Sequence, residues 1–134
     1  MSFAVHQQLP IPSTYRLADL PRQAQFLLLT LRLAHELSVN DRNFQGFVYV
    51  LCGISRVERA LAAVGDVLRC LSRAPRRVTI ESTVTDDLAE DERRLLSLLR
   101  CRWNFGLALA GGMVPRPLDE ALILALNRLA DAME

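Results

Sequence analysis

The chain contains no lysine: all 16 of its basic residues are arginine. It has two histidines and three cysteines in 134 residues, and aromatic residues make up only 6%. Each shortage excludes something. Cys52, Cys70 and Cys101 are odd in number, widely separated and set inside apolar helical patterns. That is the usage of a reducing cytosol and not of a secreted disulfide framework. Charge of either sign is also in short surplus. A net charge of +1 argues against a whole-surface nucleic-acid binder and against an acidic tail. Long hydrophobic runs are missing too: those around Phe26–Leu31, Phe47–Cys52 and Phe105–Val114 fall well below the ~18 residues a membrane span needs. Met1 to Pro12 offers neither a basic n-region nor a long apolar h-region, so no signal peptide is expected. The expected location is the cytoplasm, away from membranes.

What the chain does have is aliphatic side chains. Hydrophobic residues reach 51%, with 25 leucines and 15 alanines. That content excludes a disordered or fibrous chain, and the length suits one domain with one core. The Arg-, Leu- and Ala-rich usage suggests a GC-rich bacterial gene, which weakens arguments resting on arginine counts alone.

Residues 1–18, with Pro10, Pro12, Ser13 and Thr14, read as an extended N-terminal arm, and residues 19–134 as a single helical domain. Asp19 is an N-cap type with Pro21 in the first turn, which predicts a helix to about Leu37. Leu27, Leu28, Leu31 and Ala34 make one stripe on it, and Phe26, Leu29, Leu33 and Leu37 a second. A helix apolar around most of its circumference is either central or shared with a partner. Ser38–Asn43 carries turn and capping residues. Phe44–Cys52 reads as a short helix, although its valines and aromatics also suit a strand. Ser55-Arg56-Val57-Glu58 has the form of a capping box opening a helix to about Ser72.

From Arg77 to Val84, β-branched residues alternate with polar ones. A lone strand is unstable, so residues 75–84 are read as an extended connector packed on helices, the other possibility being an edge that pairs with a second copy. Asp87-Leu88-Ala89-Glu90 resembles another capping box. Acidic residues from Asp86 to Glu92 precede Arg93, Arg94, Arg100 and Arg102, an order that complements the helix dipole. Glu90 and Arg94 stand at i,i+4. Leu88, Leu95, Leu99, Trp103 and Leu107 mark the buried face of this helix, which should stop at Gly111-Gly112. Pro117 then opens a last helix with Leu118, Leu122, Leu126, Leu129 and Met133 on one face. The expected fold is all-α: an irregular bundle of four or five helices with an arm and a connector.

No catalytic motif appears. There is no G-x-S-x-G, no phosphate-cradling glycine loop and no H-E-x-x-H. Gly111-Gly112 reads as a helix stop, because no lysine or serine follows it. His6 and His35 have no metal-ligand spacing on their own elements, and the acidic run is explained by the dipole. A helix-turn-helix is not supported either, since Gly65 falls inside unbroken helical periodicity. Neither cofactor nor metal is expected.

Two arginine groups remain. Arg93, Arg100, Arg102 and Trp103 combine the residue types enriched at protein interfaces, and they are the candidate partner-binding residues. Arg69, Arg73, Arg76 and Arg77 are the candidate nucleic-acid patch. The hydrophobic content exceeds what the amphipathic faces require, and large exposed apolar patches are unusual on monomers. The leading expectation is therefore a non-enzymatic protein acting by helix-mediated association: a homodimer that regulates a protein partner, with the first and last helices as apolar interface. One alternative is a nucleic-acid-associated transcriptional regulator using paired arginine clusters. The other is an enzyme or a metal or redox sensor assembled from His35, Cys52, Cys70 and Cys101.

Overall fold

The computed structural model describes residues 16–100 and 119–133. Within them the fold is all-α, as expected. After a 3-10 turn at Leu17–Asp19 come α1 (Arg22–Leu37), α2 (Arg42–Cys52), α3 (Val57–Ser72), α4 (Glu90–Arg100) and α5 (Asp119–Ala132). The described residues hold no strand, only an isolated antiparallel bridge between Arg16 and Asp87. Residues 1–15 of the expected arm, the Gly111-Gly112 stop and Pro117 lie outside the described residues.

The core follows the aliphatic stripes. α3 and α5 share the most extensive interface, and α1 packs against α2, α3 and α5. Leu27, Leu28, Leu31 and Ala34 of α1 meet Ala60, Ala63, Val64 and Val67 of α3 and Leu122, Leu126 and Leu129 of α5 in one buried cluster. Phe26 and Leu33 on α1's second stripe are partly buried against it. The two helices expected to supply an outward apolar interface thus spend most of that surface inside the bundle. The segment from Phe44 to Cys52 is helical, with Phe44 and Val48 buried and Phe47 and Leu51 partly so.

The helix starts differ from the sequence expectation in a consistent way. α1 begins at Arg22 and not at Asp19, whose carboxylate accepts the Arg16 N–H at 3.1 Å and closes the preceding turn. Pro21 sits just outside, its carbonyl accepting the Gln25 N–H. Ser55 does not cap α3. The Gly53 carbonyl accepts the N–H groups of Arg56 and Val57, and the cap position falls on Arg56. α4 starts at Glu90, beyond the Asp87 box, and the reciprocal glutamate is Glu92, which accepts the Ala89 N–H at 3.0 Å. Among the helix starts within the described residues, only Asp41 behaves as a side-chain cap, accepting from Asn43 and Phe44 at the start of α2.

Candidate functional site

Between α3 and α4, residues 77–82 form neither helix nor strand. Their backbone is satisfied by side chains instead. The N–H of Thr79 donates to Asp91, that of Glu81 to Glu92 and that of Thr83 to Glu36, at 2.7, 3.1 and 2.7 Å. Arg32 of α1 reaches in from the other side. Its Nη1 donates to the Ser82 and Thr85 carbonyls, and its Nη2 to that of Asp87. The remaining two donors meet Glu92, so all five guanidinium hydrogens are used. The alternation of Val78 and Ile80 with polar residues now has a reason: both valine and isoleucine pack against the core while this polar frame holds the backbone. Within the chain the segment packs on the helices, as the connector reading expects.

Asp91 is the second anchor. Its carboxylate takes two bonds from Arg76, at 2.7 and 3.1 Å, besides the Thr79 N–H. The Arg76 hydrogen bonds, aided by that N–H, hold its carboxyl below the usual aspartate range. Sequence reasoning assigned Asp91 and Glu92 to the helix dipole and missed their reach into the connector. The available signal was Arg32, a charge set between Leu31 and Leu33 in the aliphatic run of α1.

Held in place, the connector forms one wall of a cleft of about 550 Å³. Ala34 of α1, Leu68 and Leu71 of α3, and Val78 and Ile80 of the connector line its floor. His35, Arg76 and Arg77 stand at its rim. On the opposite side of α3's end, a second groove of about 330 Å³ lies against α5, with Arg69, Arg73 and Arg128 around Cys70 and Leu124. The sequence cluster Arg69, Arg73, Arg76 and Arg77 is therefore divided between the two grooves, Arg69 and Arg73 in one and Arg76 and Arg77 in the other. It is partly neutralised: Arg69 pairs with Asp66 at 2.7 Å and Arg76 with Asp91. Arg73, Arg77 and Arg128 form no ion pair with the described residues.

The other candidate group is not assembled here. Arg93 is half-buried and donates to the Leu88 carbonyl at 2.9 Å, bracing the start of α4. Arg100 is the last residue of α4, while Arg102 and Trp103 lie outside the described residues. Arg94 pairs with Glu90 at 3.3 Å, as its spacing predicts. Cys52 and Cys70 sit on different helices, and burial pushes both thiols above their ordinary range. His35 is exposed, and among the described residues no three His, Cys, Asp or Glu side chains gather as a metal would need. His6 and Cys101 lie outside the described residues.

Among the described residues, Val84, Leu124 and Leu37 are exposed singly, and one group of exposed apolar side chains lies where the sequence did not place it. Gly46, Tyr49 and Val50 share the outer face of α2 at i, i+3 and i+4, and Ile54 follows in the α2–α3 turn. Tyr49, Val50 and Ile54 are 50%, 81% and 78% exposed. No charged residue occurs between Arg42 and Arg56. Gly46 lies in mid-helix, where an added Cβ would meet nothing within 4 Å. Comparison with protein-family models, with curated proteins and with solved structures finds no match to this chain.

Proposed function

We propose that the protein acts by helix-mediated association and not by catalysis, pairing with a second copy of itself through the outer face of α2 and the α2–α3 turn. The pair would then regulate a protein partner. The observation that carries this reading is the uncharged, apolar character of that face, centred on Tyr49, Val50 and Ile54. In a two-fold pair each copy offers the same patch, so any net charge on the face would oppose its own image. This face has none. A mid-helix glycine costs about 1 kcal/mol relative to alanine, and nothing inside the chain requires one at Gly46. Close approach of a second helix supplies a use for it.

Measuring solution mass tests the pairing. The expected result is a dimer at tens of micromolar, converted to a folded monomer by Val50→Glu with Ile54→Glu. A wild-type chain that stays monomeric across that range overturns the proposal.

The nucleic-acid reading draws on Arg73, Arg77 and Arg128 around the two grooves. It requires binding to DNA or RNA that weakens steeply as salt is added. With Arg69 and Arg76 already paired to aspartates, it has fewer uncommitted cations than the sequence cluster suggested.

A further inference from the structure

We propose that the cleft between α1, the end of α3 and the connector binds a small amphipathic carboxylate, its aliphatic chain on the floor and its head at Arg77. The observation is the division of the cleft into two chemistries. Its floor is Ala34, Leu68, Leu71, Val78 and Ile80, all aliphatic. Among the described residues no Phe, Tyr or Trp lines it; its one aromatic ring is His35 at the rim, and a saturated chain on the floor meets aliphatic side chains. Its volume of about 550 Å³ falls within the roughly 300–1,000 Å³ of small-molecule sites.

The rim supplies the sign of charge. Among the described residues no Asp or Glu lines the cleft. Arg76 is held by Asp91, which fixes the wall and leaves Arg76 less charge to offer. Arg77, next in sequence and exposed, has no ion pair among the described residues. A planar guanidinium at the edge of an apolar slot matches a carboxylate head, which it can engage through two parallel N–H donors. The wall that carries it is not loose, because the connector is tied by Arg32, Asp91 and Glu92. That limits the ordering cost of binding.

The test uses the full chain and the simple acids hexanoate, octanoate and decanoate, followed by methyl NMR. Affinity is expected to rise about fourfold per added methylene, the free energy of burying one CH₂. The shifts should fall on the methyls of Leu68, Leu71, Val78 and Ile80. Arg77→Glu, a change at an exposed side chain, should weaken octanoate roughly tenfold or more, the value of one charge-assisted contact. It should leave 1-octanol unchanged, because that ligand has no charged head. Absence of a chain-length dependence, shifts spread elsewhere, or equal effects of Arg77→Glu on acid and alcohol would each overturn the assignment.

Discussion

Arg32 of α1 and Glu92 of α4 form an ion pair with no solvent exposure on either side chain, Nε to Oε2 at 2.8 Å and Nη2 to Oε1 at 2.9 Å. Such a pair stabilises only if its remaining hydrogen-bonding capacity is met. Here it is, by three connector carbonyls on the arginine and by the N–H groups of Glu81 and Ala89 on the glutamate. The expected cost of Arg32→Ala or Glu92→Ala is about 3–5 kcal/mol, because each leaves a buried charge unpaired. Replacing both together should not restore the loss, since the connector's own polar groups are then orphaned. Denaturant unfolding gives the magnitudes. Hydrogen exchange should show Glu81 and Ala89 losing protection ahead of the α3–α5 core.

The Asp91–Arg76 pair makes stability depend on acid. The folded carboxyl titrates below its ordinary range because Arg76 hydrogen-bonds the charged form. The unfolded carboxyl titrates near 3.9. A depressed folded value means the stabilisation is complete above the unfolded value and is lost as pH falls through the folded one. Asp91→Asn should therefore lower stability at neutral pH and flatten the fall below about pH 4. Arg76→Ala should do the same through the other partner. Unfolding midpoints measured from pH 7 down to acid for the three proteins would show it. Parallel curves for wild type and Asp91→Asn would contradict the assignment.

Ser38 ends α1 with φ 93° and ψ 148°, a conformation that side chains with a Cβ rarely adopt. Its N–H is nevertheless committed to the Ala34 carbonyl at 2.8 Å, which holds it there. Backbone strain of this kind costs of order 1–3 kcal/mol, and glycine removes it. Ser38→Gly should raise stability by about 1 kcal/mol, read as a thermal midpoint a few degrees higher. Ser38→Val should lower it. Gly53 at φ 81° is the converse case, and Gly53→Ala should destabilise.

The helices were legible because leucine and alanine recur at helical spacing, and the same periodicity foretold Leu122, Leu126 and Leu129 in the core. The i,i+4 pair of Glu90 and Arg94 was legible for the same local reason. The caps were less so. Asp19, Ser55 and Asp87 are all good capping residues, yet which residue caps depends on how the chain enters the helix, and tertiary contacts set that. The Gly53 carbonyl displaced Ser55, and Glu92 displaced Glu90. The Arg32–Glu92 pair spans 60 residues of sequence, a separation at which no spacing rule operates. The exposed face of α2 was hidden for another reason. Phe44, Phe47, Val48, Tyr49 and Val50 are all apolar, and only the positions of α1 and α3 decide which of them the bundle covers.

Gly46 separates folding from pairing on that face. In an isolated chain the alanine methyl would stand in open space, so Gly46→Ala should only remove the entropic penalty of a mid-helix glycine, raising stability by roughly 0.5–1 kcal/mol. Gly46→Leu should share most of that gain, leucine being nearly as good a helix former. Its side chain, however, would stand between two α2 faces that approach at this position. The expected pattern is opposed: the leucine variant more stable to denaturant at concentrations where the chain is monomeric, and less dimeric by sedimentation at tens of micromolar. Were the leucine variant more stable and equally dimeric, the pairing face would lie elsewhere, because a buried contact at Gly46 has no room for four added carbons.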